Sequence, residues 1–183
     1  MAYQNKVIRN TRTGHEIMFL HTAKNTGGRF LGMIATFQPE NQPAALYYLP
    51  HQTLELDVLS GELTVLLDGQ CKPLKAGESL LIDANKPHAL WNGSTQRTVI
   101  NCRVRPALNT EHLLETIAGL ASVETISRRP IPRILQIALT ANTFSDVVRL
   151  TSWPFMCQKV VFTLLTPVAY LAGYKPTYAK YID

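Results

Sequence analysis

Cysteine is scarce. The 183 residues include three, Cys71, Cys102 and Cys157. The count is odd and the spacings fit neither a zinc site nor a disulfide framework, so no such cross-link is expected to organise the chain. Cys71 and Cys102 stand in strand-like surroundings and read as small apolar residues. The first residues, MAYQNKVIRN, have no apolar run behind their Lys and Arg, so a secretory signal is not expected. Both absences predict a reducing, cytoplasmic setting. A concentrated basic block is missing too. The net charge is +5 and the pI about 9.2, yet the closest groups, Arg103/Arg105 and Arg128/Arg129/Arg133, are not interleaved with aromatics. They read as a solvated face, and no nucleic-acid partner is expected. The strongest apolar run, Val160 to Gly173, falls short of the roughly 20 residues that span a bilayer.

What is present is a globular composition, 46% hydrophobic, in a chain long enough for one domain with a core and a helical extension. Residues 1–106 read as β throughout. Strands are predicted over Lys6–Arg9, His15–His21 and Arg29–Gln38, separated by turns at Thr11–Gly14 and Asn25–Gly28. The PENQP loop, 39–43, follows. In the stretch from Tyr47 to Asn92, Leu54, Leu56 and Val58 alternate with Glu55 and Asp57, the period of two of a half-buried strand. Ser60-Gly61 turns the chain into Leu63, Val65 and Leu67, and Asp68-Gly69 is a strong hairpin signal. Gly77 opens a strand over Glu78–Asp83, and Asn85-Lys86-Pro87 delivers His88 to the next. A last strand runs from Arg97 to Arg105. Short strands at even spacing argue for an antiparallel sandwich or barrel.

Pro106 marks a change of period. Leu113, Leu114, Ile117, Leu120 and Ala121 recur at helical spacing behind Asn109 or Thr110 as N-cap. Residues 128–132 read as a linker. A second helix runs to about Ala141, with Ile134, Leu135, Ala138 and Leu139 on one face. A third opens at Ser152 and Pro154 and stops at Gly173, with Pro167 expected to kink or break it. The division is therefore 1–106, an antiparallel β sandwich or barrel, and 107–183, a helical extension packed on it or on a partner subunit.

The central stretch resembles the cupin family, whose motifs are G-x5-H-x-H-x4-E-x6-G and G-x5-P-x-G-x2-H-x3-N. Gly61 closes the first motif, and Gly77 opens the second, with His88 and Asn92 at its His and Asn positions. The resemblance implies a mainly β fold, a jelly-roll, double-stranded β-helix barrel. It also implies a metal cage of three His and one Glu, and here those positions hold Tyr47, Leu49, Leu54 and His88. Leu has no donor atom, so neither a metal nor another cofactor is expected. His51, Gln52 and Glu55 lie close by, but a one-residue slip that turned His51 or Glu55 inward would turn Leu54, Leu56 and Val58 outward.

The leading expectation is a non-catalytic, cupin-like binder of a small, largely apolar molecule, in a pocket of Met33, Tyr47, Leu49, Leu54, Leu56, His88 and Leu90. His88 is the candidate catalytic residue if the protein is an enzyme, either paired with Tyr47 for acid/base work without metal or within an atypical metal-dependent site. As a core histidine, its expected hydrogen-bond partner is Tyr47. A third reading is a structural or assembly protein using its C-terminal helices. The helix apolar nearly all round predicts a homodimer. Peripheral membrane contact through residues 153–173, with Trp153, Lys159 and Tyr170 at headgroup level, is the lesser reading because the opposite face lacks charge.

Overall fold

Asp68 and Gly69 both adopt positive φ, 50° and 78°. They fold β6 (Glu62–Leu67) onto β7 (Gln70–Lys75), with Leu67 opposite Gln70. The strands form two antiparallel sheets in a computed structural model that describes residues 2–40, 43, 45–121, 130–151 and 155–173. One sheet has the order β1 (Val7–Arg9), β2 (Glu16–His21), β3 (Leu31–Phe37), β10 (Thr98–Arg105), β5 (Thr53–Ser60) and β8 (Ser79–Ile82). The other has the order β11 (Arg149–Leu150), β4 (Tyr47–Tyr48), β9 (His88–Trp91), β6 and β7.

The alternation in β5 sets the register. Leu54, Leu56 and Val58 are buried between the sheets with Phe19, Leu31, Leu63, Leu74 and Ile100. Glu55 and Asp57 point out. Glu55 pairs with Arg103 at 3.1 Å and Arg105 at 3.3 Å. Asp57 accepts from Ser79 Oγ at 2.7 Å and Asn101 Nδ2 at 3.1 Å. A one-residue slip would bury these charges and expose the leucines, so the apolar set and the outer pairs enforce one register.

Residues 1–106 are not β throughout. Ala23–Thr26 forms a single helical turn, α1. Thr22 and Asn25 form a reciprocal cap: Thr22 N–H donates to Asn25 Oδ1 at 2.8 Å, and Asn25 N–H to Thr22 Oγ1 at 3.4 Å. Gly27 ends the turn at φ 61°.

Helix α2 (Thr110–Ala121) matches its predicted start, but its buried side differs from the apolar stripe. Leu113 is buried, whereas Ile117 is 45% exposed. Glu111, Glu115 and Thr116 are buried in place of the missing apolar residues. Glu111 Oε2 accepts from Ala23 N–H at 2.9 Å, and Glu115 Oε1 meets Lys6 Nζ at 2.8 Å. These two carboxylates fasten the helix to α1 and to the residue before β1.

Helix α3 (Pro130–Thr143) starts where a linker was expected, and Leu135, Ala138 and Leu139 are buried as predicted. Helix α4 (Phe155–Leu171) runs through Pro167 without a break. It packs on α3 by setting Leu165 and Ala169 against Leu135 and Leu139. The expected cap at Ser152 and Pro154, the interfacial Trp153, Arg128/Arg129, and the tail tyrosines Tyr174, Tyr178 and Tyr181 lie outside the described residues. Among the described residues no helix is long and apolar enough to cross a membrane.

Candidate functional site

The two sheets bring the predicted pocket residues together. Met33 and Leu56 flank Cys102 across β3, β10 and β5, and Leu54 lies opposite Val104 and Ile82. On the facing sheet, Tyr47 lies opposite His88, and Leu90 opposite Val65. Met33, Leu49, Leu54 and Leu56 are buried in one cluster, with Tyr47 and Leu90 packed against it. His88 is 1% exposed.

His88 does not hydrogen-bond to Tyr47. Its Nδ1 lies 2.8 Å from the Lys86 carbonyl, while its ring meets Tyr47 edge-on with centroids 4.5 Å apart. The Asn85-Lys86-Pro87 loop doubles back, with Asn85 at φ 63°, and so supplies an acceptor only two residues before the ring. A carbonyl only accepts, so Nδ1 carries the proton and Nε2 presents a lone pair. Nε2 is buried with no hydrogen-bond partner among the described residues.

Burial sets the protonation of the neighbours as well. Desolvation raises the pKa of the Tyr47 hydroxyl, with the Cys102 thiol as a lesser cause. The Cys102 thiol is itself pushed up to about 12, by burial first and by Asp57 second. Desolvation lowers the pKa of His88, against a weaker opposing effect of the Lys86 carbonyl. All three groups are held neutral. Because the folded pKa of His88 lies below that of the unfolded chain, the unfolded state takes up the proton first as pH falls. The stability contributed by neutral His88 is full above about pH 6.5 and is lost below it. Wild-type protein should therefore lose melting temperature on acidification more steeply than His88→Leu; parallel curves in a pH series of thermal melts would exclude this role.

The cupin-domain family model matches residues 39–102, the stretch that contains β4 to β9 and most of β10. The chain carries a cupin domain. Similar solved structures include an uncharacterized conserved protein with a double-stranded β-helix domain from Klebsiella pneumoniae. It is 18% identical, has a TM-score of 0.44, and the match covers 59% of this chain and 84% of that one. A predicted oxalate decarboxylase from Thermotoga maritima is 17% identical, with a TM-score of 0.49 and coverage of 58% and 99%. Ectoine synthase from P. lautus is 16% identical, with a TM-score of 0.47 and coverage of 56% and 72%. No curated protein matches the sequence.

The metal cage of the cupin family does not fit these side chains. Leu49 and Leu54 bring no donor atom, the Tyr47 hydroxyl resists deprotonation, and His88 alone remains. Among the described residues, no group of three His, Cys, Asp or Glu could hold a metal ion. The nearby alternatives do not rebuild the site. His51 is exposed, Glu55 is paired outside the barrel, and Asp83 is exposed. Gln52 is buried for another purpose: its Nε2 lies within reach of Pro106 O, Ala107 O and Thr110 Oγ1 at 2.7, 3.1 and 2.8 Å, fastening the cupin domain to the start of α2. Asn92 is structural too, donating from Nδ2 to Phe37 O and Gln96 O. Cys71, expected to behave as an apolar residue, is exposed on β7.

Two cavities lie outside the predicted pocket. The larger, about 630 Å³, opens between α2, α3 and β11 and is lined by none of the seven residues chosen from the sequence. Its walls come from segments that carry no shared motif, so only their packing reveals it.

Proposed function

We propose that the cupin domain is a metal-free module that binds a small, largely apolar molecule between its sheets. The observation that carries this reading is His88 Nε2, a buried acceptor with no partner among the described residues, beside the neutral Tyr47 and the apolar side chains of Met33, Leu49, Leu54, Leu56 and Leu90. Such a setting favours a molecule with an apolar body and one hydrogen-bond donor. Acid/base catalysis by His88 and Tyr47 is less well supported, because no hydrogen bond links them and no carboxylate orients the imidazole. Cyclohexanol is a suitable probe. It should shift the methyl NMR resonances of Met33, Leu54 and Leu56, and His88→Leu should weaken its binding at least tenfold. Stoichiometric iron, manganese, nickel or zinc in the purified protein, or no response to cyclohexanol, would overturn the reading.

The partner that best suits α4 is a second copy of the chain. Met156, Val160, Leu164, Val168 and Leu171 form one stripe along the helix, each 50% to 91% exposed, with no charged side chain among them. Two such stripes can meet about a two-fold axis without burying charge. Light scattering should give a dimer for the wild type and a monomer for Leu164→Lys. A monomeric wild type would exclude this interface.

A further inference from the structure

We infer that the 630 Å³ cavity between α2, α3 and β11 is a second small-molecule site, built for an uncharged amphiphile with a hydroxyl end. Its volume lies in the range of ligand pockets. Leu113, Ile117 and Leu120 of α2, Ile137 and Ala141 of α3, and Val148 before β11 form its apolar wall. Ile117 and Ile137 remain 45% and 43% exposed, apolar surface that a ligand could cover.

The polar part of the lining comes from Asn10, Arg12 and Thr13 of the β1–β2 turn, Glu40 after β3, and Gln136 and Thr140 of α3. A smaller cavity of about 180 Å³ shares Asn10 and Ile117 with the first and is lined by His15. His15 Nε2 is buried, has no hydrogen-bond partner among the described residues, and lies 3.9 Å from Glu40 Oε2, too far for a direct bond. A ligand hydroxyl placed between them could bond to both. The charges of Arg12 and Glu40 balance each other, so the lining gives no net preference for an ion. The site shares no residue with the site proposed around His88 and does not depend on it.

Nile red, an uncharged apolar dye, tests the site by fluorescence titration. It should bind the wild type, and 1-decanol should displace it at lower concentration than decanoate. Ala141→Trp, which fills the cavity, should weaken dye binding at least tenfold, whereas His88→Leu and Leu164→Lys should leave it unchanged. Unchanged dye binding in folded Ala141→Trp overturns the proposal, as does loss of binding in either control variant. Decanoate competing as well as 1-decanol overturns the hydroxyl-end assignment. Should Ala141→Trp fail to fold, Ala141→Leu decides in its place: about threefold weaker binding supports the site, and no change excludes it.

Discussion

Gly61→Ala is expected to lower the melting temperature by roughly 10 °C, which for a chain of this size corresponds to about 3 kcal/mol. Gly61 has φ 79°, where a side chain costs roughly 1–2 kcal/mol. A Cβ there would also lie 2.7 Å from Arg97 O, 2.8 Å from Thr98 Oγ1 and 3.0 Å from Thr98 Cα. Two of these atoms belong to the backbone and cannot turn aside. Thr98 Oγ1 is occupied as well, accepting from Glu62 N–H at 3.1 Å and donating to Glu62 O at 2.7 Å. Moving it would break both bonds, each worth about 1 kcal/mol. Gly77 is the control. Its φ is 88°, but a Cβ would meet nothing within 4 Å, so Gly77→Ala should incur only the conformational cost. Circular-dichroism melts of the two variants decide the matter, and equal losses would refute the close-contact explanation.

Glu115→Ala is expected to destabilise the fold by about 3–5 kcal/mol. The Glu115 side chain is fully buried and its Lys6 partner nearly so, at 0% and 11% exposure. Removing the carboxylate takes an ion-pair partner at 2.8 Å away from an ammonium that solvent reaches poorly. The ion pair joins α2 to the chain next to β1, so the loss should release the helix as well as lower the melting point. The double variant Lys6→Met/Glu115→Leu, which removes both charges, should recover most of the stability. Chemical denaturation of the wild type, Lys6→Met, Glu115→Leu and the double variant measures the coupling, and additive losses would show that the pair is not coupled.

The barrel was legible because its signals are local. Leu54, Leu56 and Val58 alternate within one strand, Asp68-Gly69 declares its own backbone conformation, and Gly61 and Gly77 mark corners where φ is positive. His88 and Tyr47 could be placed together because a shared motif fixes their strands. The details that escaped depend on distant partners. Glu115 lies outside the apolar stripe read for α2, and its burial depends on Lys6, 109 residues away. The polar bond of His88 was assigned across strands to Tyr47, yet a carbonyl two residues back is closer at hand. The Thr22–Asn25 cap resembles an ordinary turn because those residue types serve both. Strand β11 is only two residues long, too short for any period to show.

That short strand has a bearing on how the chain acquires its shape. Arg149 and Leu150 lie against Tyr48 and Tyr47, and Thr151 Oγ1 reaches Leu46 O across 105 residues of sequence. During synthesis the edge of β4 therefore emerges long before the strand that covers it. Until β11 arrives, Tyr47 and Tyr48 present open backbone donors and acceptors to any passing strand. Closing so long a loop is slow, which keeps this edge open to mispairing with neighbouring chains.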